Sequence, residues 1–380
     1  MTLMKQLYLD YAATTPVDAR VLESMNACMG ISGAFGNASS ISHDFGRAAL
    51  DLVAKARQQV ASLIGVEPRT LIWTSGATEA NNLAIQGLAC SGYGKKHIVT
   101  VQTEHCSVLD PCKVLERQGF EITYLKPDSE GIISVERVES ALRSDTLLVS
   151  VMHVNNETGV VQDIKGISTL TRQKEIFFHV DAVQSVGKIP LDLKQIPIDL
   201  MSLSAHKLYG PKGVGALYTG TWPRVILQPI LFGGGQERGL RPGTLATHQI
   251  VGMGEACSIA EAMLPLESTR VSALRDRLWR GIQDLQGVTI NGPVKASMGV
   301  GILNVCFGHM EQKMLLEAFK KLAVSTAAAC HALTPKPSHV LSAMGLSDKN
   351  AHRSIRFSMG RFTTAQDIDQ TIKLIRSNYL

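Results

Sequence analysis

A chain of 380 residues, 45% of them hydrophobic and 19% charged, is long enough for a large core and two domains. The formal net charge of +5 is small and scattered, with no block of five or six like charges, so nothing in it calls for nucleic acid or a membrane surface. No apolar run nears the roughly 20 residues of a membrane span, and the start, MTLMKQLYLDYAATTP, lacks an apolar signal region, which predicts a cytoplasmic protein.

In chain order, LIWT (71–74) reads as a strand and is followed by a helix over about 78–89. HIVTV (97–101) is a second strand, with a helix over about 107–118. TLLVSVM (146–152), IFFHV (176–180) and IDLMSL (198–203) continue the strands, with polar or helical connections between them. GVGALYT (213–219) closes the series. Strand–helix alternation implies a mostly parallel sheet covered on both faces. Near residue 250 the pattern changes to a helical stretch over about 248–286. ILNVCF (302–307), a helix over about 311–321 and SIRFSMG (354–360) follow and predict a second, smaller α+β domain. ALTPKPSHV (332–340) is the clearest Pro-containing loop. The seven cysteines are odd in number, irregularly spaced and form no C-x-x-C pair. Disulfide scaffolds and zinc clusters are thereby disfavoured, and each cysteine is either packing or a reactive thiol.

Ligands of open α/β sheets bind beyond the carboxyl ends of the strands. The segments that follow the strands here are SGATEANN, QTEHCS, HVNNETG, DAVQS and SAHKLYG. Together they supply a helix start, a His, an Asn, an Asp, a Gln and a Lys. An amine in a dry pocket loses its proton readily and attacks aldehydes. An Asp at the adjacent strand end suits a heterocyclic nitrogen cation, and SGATE at a helix start suits a phosphate. Lys207, Asp181 and the Gly76–Thr78 turn therefore form a coherent site for pyridoxal 5'-phosphate. Taken singly, Lys207 would be a surface lysine, His105 a structural histidine and Asp181 a turn cap. It is the motif context that reverses those readings. No G-x-G-x-x-G follows the first strand, no G-x-x-x-x-G-K-[ST] loop occurs, and H-E-x-x-H is absent, which disfavours nucleotide binding and metal hydrolysis.

Ordered motifs along nearly the whole chain carry a family resemblance: YLDYAATTP, FGNASSISH, SGATEANNLAI, TEHCSVLD, MHVNNETGVVQDI, HVDAVQSVGK, SAHKLYGPKG, GGGQERGLRPGT, LAVSTAAAC and SIRFSMGRFT. The chain resembles the cysteine desulfurases, class V aminotransferase-like enzymes of the fold-type I pyridoxal-phosphate group. The resemblance implies an α/β fold with a mostly parallel seven-stranded central sheet and a smaller α+β C-terminal domain. It places the large domain at 15–260 and the small domain at 1–14 plus 261–380, with the catalytic cysteine loop on the latter. By motif, Lys207 would form the Schiff base. His105 would stack on the ring and shuttle protons, Asp181 would pair with the ring nitrogen, and Gln184 would bond the ring's phenolic oxygen. Ala77, Thr78, Ser204 and His206 would hold the phosphate, and Thr244 would reach the phosphate in a partner subunit, implying a homodimer. Asn156 and Arg356 would bind the substrate carboxylate, and Cys330 would accept sulfur from L-cysteine as a persulfide, releasing L-alanine.

The chain reads STAAAC and SAHK where housekeeping members read SSGSAC and SGHK, and it stops at RSNYL without their C-terminal extension. The expectation drawn from these departures is a sulfur donor that serves an acceptor protein in a specialised pathway, DNA phosphorothioation being one candidate. No direct contact with nucleic acid or membrane is expected. Housekeeping iron–sulfur or tRNA-thiolation supply, and a related selenocysteine lyase or aminotransferase, are the alternatives.

Overall fold

The computed structural model describes residues 6–221, 225–293, 299, 301–326 and 337–379. The first half runs β1 (Leu7–Tyr8), α1 (Ala19–Asn26), α2 (Asp44–Ile64), β2 (Leu71–Thr74), α3 (Ala77–Ala89), β3 (His97–Val101) and α4 (Cys106–Arg117). It continues with β4 (Glu121–Leu125), α5 (Val135–Ala141), β5 (Thr146–Met152), α6 (Ile164–Gln173), β6 (Phe177–Asp181), β7 (Leu200–Ser204) and β8 (Gly215–Thr219). The remainder is α7 (Thr247–Ile282), β9 (Val288–Ile290), β10 (Ile302–Phe307), α8 (Gln312–Ala318), β11 (Leu322–Ala323) and β12 (Ser325–Thr326). Helices α9 (His339–Ala343) and α10 (Asp348–His352), strand β13 (Ser354–Ser358) and helix α11 (Ala365–Asn378) complete it.

Seven strands form the central sheet in the order β2-β8-β7-β6-β5-β3-β4. Strands β3 to β7 pair in parallel, and β8 runs antiparallel to both β2 and β7. Strands β2, β3, β5 and β7 are buried at every position, as expected of apolar runs with helices on both faces. Strand β4 is absent from the sequence reading. It lies at the sheet edge, and its exposed-to-intermediate EITYL lacks the apolar run that marks the inner strands. Its placement is decided by pairing with β3.

A second sheet, β12-β13-β10-β9, is antiparallel and packs its own core of Val305, Phe307, Ile355 and Phe357. Helix α7 bridges the two units. Ile250, Met253, Ala256 and Ile259 enter the large core, and Val271, Leu274, Leu278 and Ile282 enter the small one. Pro265 sits between those two stretches, where the helix passes from one core to the other. The N-terminus is tied to this part of the chain as well: β1 pairs in parallel with β11 as a separate two-stranded sheet, and Asp10 bridges to Ser358 of β13. Those contacts bring the segment 10–15 over the carboxyl ends of the central strands.

Candidate active site

The parallel strands end on a cavity of about 700 Å³. Ten sequence-predicted residues line it: Ala77, Thr78, His105, Asn156, Asp181, Gln184, Ser204, His206, Lys207 and Arg356. They come from five strand ends of the large sheet and from β13 of the small one. The strand ends are brought together because parallel strands all finish at one edge. Two predicted residues stand apart. Thr244 is exposed and lies outside this cavity. Cys330 lies outside the described residues, as does most of the loop 332–340.

Lys207 ends a one-turn 3₁₀ segment, Ala205–Lys207, that directly follows β7. Its Nζ donates to the carbonyls of Ala12 and Ala13, both at 2.7 Å. The amine is thus held by the N-terminal segment and sits at the wall of the cavity. Its neighbour His206 shares a hydrogen, 3.1 Å, between Nδ1 and the Thr14 hydroxyl. Burial, and secondarily the Lys207 charge, push His206 down to about 4, so the ring is neutral at physiological pH.

Asp181 ends β6 and is 4% exposed. Its carboxylate accepts from Asn81 Nδ2 at 2.8 Å and from the Val183 N–H at 3.1 Å. Asn81 Nδ2 also donates to Ser107 Oγ at 2.8 Å, and Ser107 Oγ lies 2.8 Å from His105 Nδ1. A polar chain therefore runs from Asp181 through Asn81 and Ser107 to His105. His105 is the N-cap of α4, where its Nδ1 accepts the Ser107 N–H at 3.1 Å. That bond assigns the ring proton of the neutral histidine to Nε2. Burial lowers the proton affinity of His105, and the nearby Asp181 partly restores it.

Helix α3 opens at Gly76, whose φ of +153° is easy only for glycine and which gives the helix no side-chain cap. Strand β8 crosses so close that a Cβ on Gly215 would meet the Gly76 Cα at 2.8 Å. The first-turn N–H groups at Ala77 and Thr78 thus face the cavity with no side-chain acceptor at the cap, an anion-binding arrangement. Across the cavity, Arg356 donates to the Asn156 carbonyl at 2.8 Å and to Asp10 Oδ1 at 2.7 Å. The Asp10 pairing is a feature that the sequence reading lacks. The Arg356 Nε is buried without a partner, a donor available to a ligand oxygen anion.

Asn81, Ser107 and Asp10 escaped the sequence reading. A signal existed for Asn81, an asparagine among apolar neighbours on the inward face of a helix, but none existed for Asp10, whose partner is 346 positions away. Glu104, behind His105, is fully buried and accepts the Met152 N–H at 2.6 Å. Burial holds its carboxyl well above the usual carboxylate range, and the nearby Asp181 charge adds to that shift.

The residues fit pyridoxal phosphate: an amine, a buried hydrogen-bonded carboxylate and an open helix start line one cavity. Comparison with known proteins points the same way. The aminotransferase class-V family matches residues 7–371. The cysteine desulfurase IscS of Aeromonas hydrophila subsp. hydrophila is 56% identical over 373 residues, covering 98% of this chain and 92% of that protein. A solved NifS-like protein superposes with a TM-score of 0.90 at 36% identity, covering 98% of both chains. A structure described as SspA in complex with cysteine gives 0.82 at 38%, covering 94% of this chain and 99% of the other.

Proposed function

The chain belongs to the class-V aminotransferase family, and on that premise we propose that it is a pyridoxal 5'-phosphate-dependent cysteine desulfurase. It takes sulfur from L-cysteine, releases L-alanine and leaves a persulfide on Cys330. The observation that carries the reading is the convergence of Lys207, Asp181 and the Gly76–Thr78 helix start on one cavity whose far wall is Arg356.

When bound, the cofactor supplies an electron-withdrawing ring that loosens bonds in an attached amino acid. Lys207 would be the amine that holds its aldehyde group. Asp181, fixed by Asn81 and the Val183 N–H, presents a negative charge of set orientation to the ring nitrogen. Ala77 and Thr78, with Ser204 and His206, would hold the phosphate, and Gln184 would bond the ring oxygen. His105, neutral with its proton on Nε2, would donate from that atom. Arg356 and Asn156 would hold the substrate carboxylate and so fix the bound amino acid in the cavity. The Cys330 thiolate then accepts the substrate sulfur: one S–S bond forms, the substrate C–S bond breaks, and the carbon takes a proton.

A homodimer is part of this reading. Ile31 and Phe232 are 87% and 86% exposed, and Phe35 and Phe45 pack against each other at a tilt on the surface, ring centroids 5.4 Å apart. Apolar surface of this kind supports burial against a second copy, and Thr244 stands outside its own cavity, where it would serve a partner's. The persulfide passes to an acceptor protein. Identity of 56% with a protein named IscS supports general sulfur supply at least as well as a specialised pathway such as DNA phosphorothioation. Among the described residues no helix is long and apolar enough to cross a membrane.

Mass spectrometry after addition of L-cysteine tests the proposal. A sulfur adduct on Cys330 together with alanine release supports it. Borohydride reduction that traps no cofactor on Lys207 would overturn it.

A further inference from the structure

Lys188 belongs to the HVDAVQSVGK motif but has no role in the chemistry above. It follows β6 by one turn, and its Nζ donates to Gln184 Oε1 at 2.7 Å. Gln184 Nε2 donates to the Ala12 carbonyl at 2.8 Å, and the same carbonyl accepts Lys207 Nζ at 2.7 Å. The two lysines are therefore joined by a continuous hydrogen-bonded path through one amide and one carbonyl. On its far side Lys188 lines a second, small cavity of about 30 Å³ with Tyr11, Thr15, Tyr209, Glu267 and Ser358. That space is about the size of one or two waters.

An amide side chain has two orientations that differ only by exchange of its oxygen and nitrogen. An ammonium group has only donors and no lone pair, so the amide oxygen and not the amide N–H faces it. With its oxygen turned to Lys188 and one N–H on Ala12, Gln184 has its second N–H left to donate into the main cavity, which it also lines. Were the amide to flip, it would present a lone pair to an anionic ligand oxygen instead.

We propose that Lys188 is a positioning residue that acts through Gln184, fixing its amide so that an N–H and not the carbonyl faces the cofactor's ring oxygen. This rests on the pyridoxal-phosphate reading of the site. The groups facing Lys188 are Lys207, Glu267 of α7 and Arg356 of β13, together with the Tyr11 and Tyr209 hydroxyls. Burial first, and the Lys207 charge second, bring Lys188 down to about 7, so its hold on Gln184 weakens as pH rises through that value.

The test is a double-mutant cycle read by pyridoxal-phosphate affinity, followed through the visible absorbance of the bound cofactor. Lys188→Met in the otherwise unmutated protein is expected to weaken cofactor binding about tenfold, the worth of one oriented hydrogen bond. In a Gln184→Ala background the same change is expected to alter it less than twofold. Lys188→Arg keeps a permanent cation and is expected to restore affinity and to remove the step near pH 7 from the absorbance titration. Thermal melting of the cofactor-free variants is expected to stay at or above that of the unmutated protein. Should Lys188→Met aggregate, Lys188→Gln replaces it in the cycle. Equal losses in both backgrounds, or no loss in either, overturn the Lys188 role while leaving the site assignment standing. An unmutated chain that takes up no pyridoxal phosphate overturns the site assignment, and the Lys188 role with it.

Discussion

Asn81→Leu isolates the polar chain behind the cofactor site. The side chain is fully buried, and its Nδ2 makes two bonds of 2.8 Å, one to the Asp181 carboxylate and one to Ser107 Oγ. Leucine matches the shape of asparagine but donates nothing. A hydrogen bond to a charged acceptor is worth about 1.5–3 kcal/mol, and each 1.36 kcal/mol is tenfold in rate. If Asp181 owes its orientation to Asn81, kcat/KM for L-cysteine falls by about 10- to 150-fold. Global stability should change far less. Asn81 Oδ1 is buried without a partner, so the substitution also removes an unsatisfied acceptor whose burial costs about 1–3 kcal/mol. Alanine release under saturating and limiting cysteine, with a parallel thermal melt, measures both. An Asn81→Leu enzyme with kcat/KM within twofold of the unmutated protein would refute the argument that this chain sets Asp181.

Arg356→Lys keeps the charge but loses the planar fork, so KM for cysteine is expected to rise by about tenfold or more with a smaller change in kcat, measured by steady-state kinetics. Glu237 is nearly buried, accepts from Arg57 at 2.6 and 3.0 Å and from the Trp73 N–H at 2.8 Å, and holds the loop that leads to Thr244. Glu237→Ala removes the ionic partner of Arg57, which keeps the Leu71 carbonyl and the Trp73 ring, and is expected to cost about 1–3 kcal/mol in denaturant unfolding. His179 is fully buried between the Ser150 and Ser202 hydroxyls, and burial pushes it down to about 3. The unfolded chain binds that proton below about 6.5 and the fold does not until about 3, so stability is expected to fall as pH drops through that window. His179→Gln should flatten the acid limb of the melting-temperature profile.

Much of the large domain was legible because its strands are buried on both faces. LIWT, HIVTV and TLLVSVM are mostly apolar and rich in β-branched residues, the composition of strands buried on both faces. The polar segments after them marked the site, because parallel strands all deliver their ends to one edge. Edge strand β4 was not legible, since half-exposed EITYL carries a pattern that only its pairing with β3 resolves.

The sequence by itself determined which chemistry the site can hold: a lysine after a buried strand, an aspartate at the next strand end, and a helix start opened by glycine. Each of these depends on local backbone and on residues a few positions apart. Tertiary structure alone decided how those groups are held. Asp10 meets Arg356 only because β1 and β13 come together, and the Ala12 carbonyl is shared by Gln184 and Lys207 only because the N-terminal segment crosses the ends of β6 and β7. Such pairings join residues 172 to 346 positions apart, and no local periodicity encodes a contact of that range.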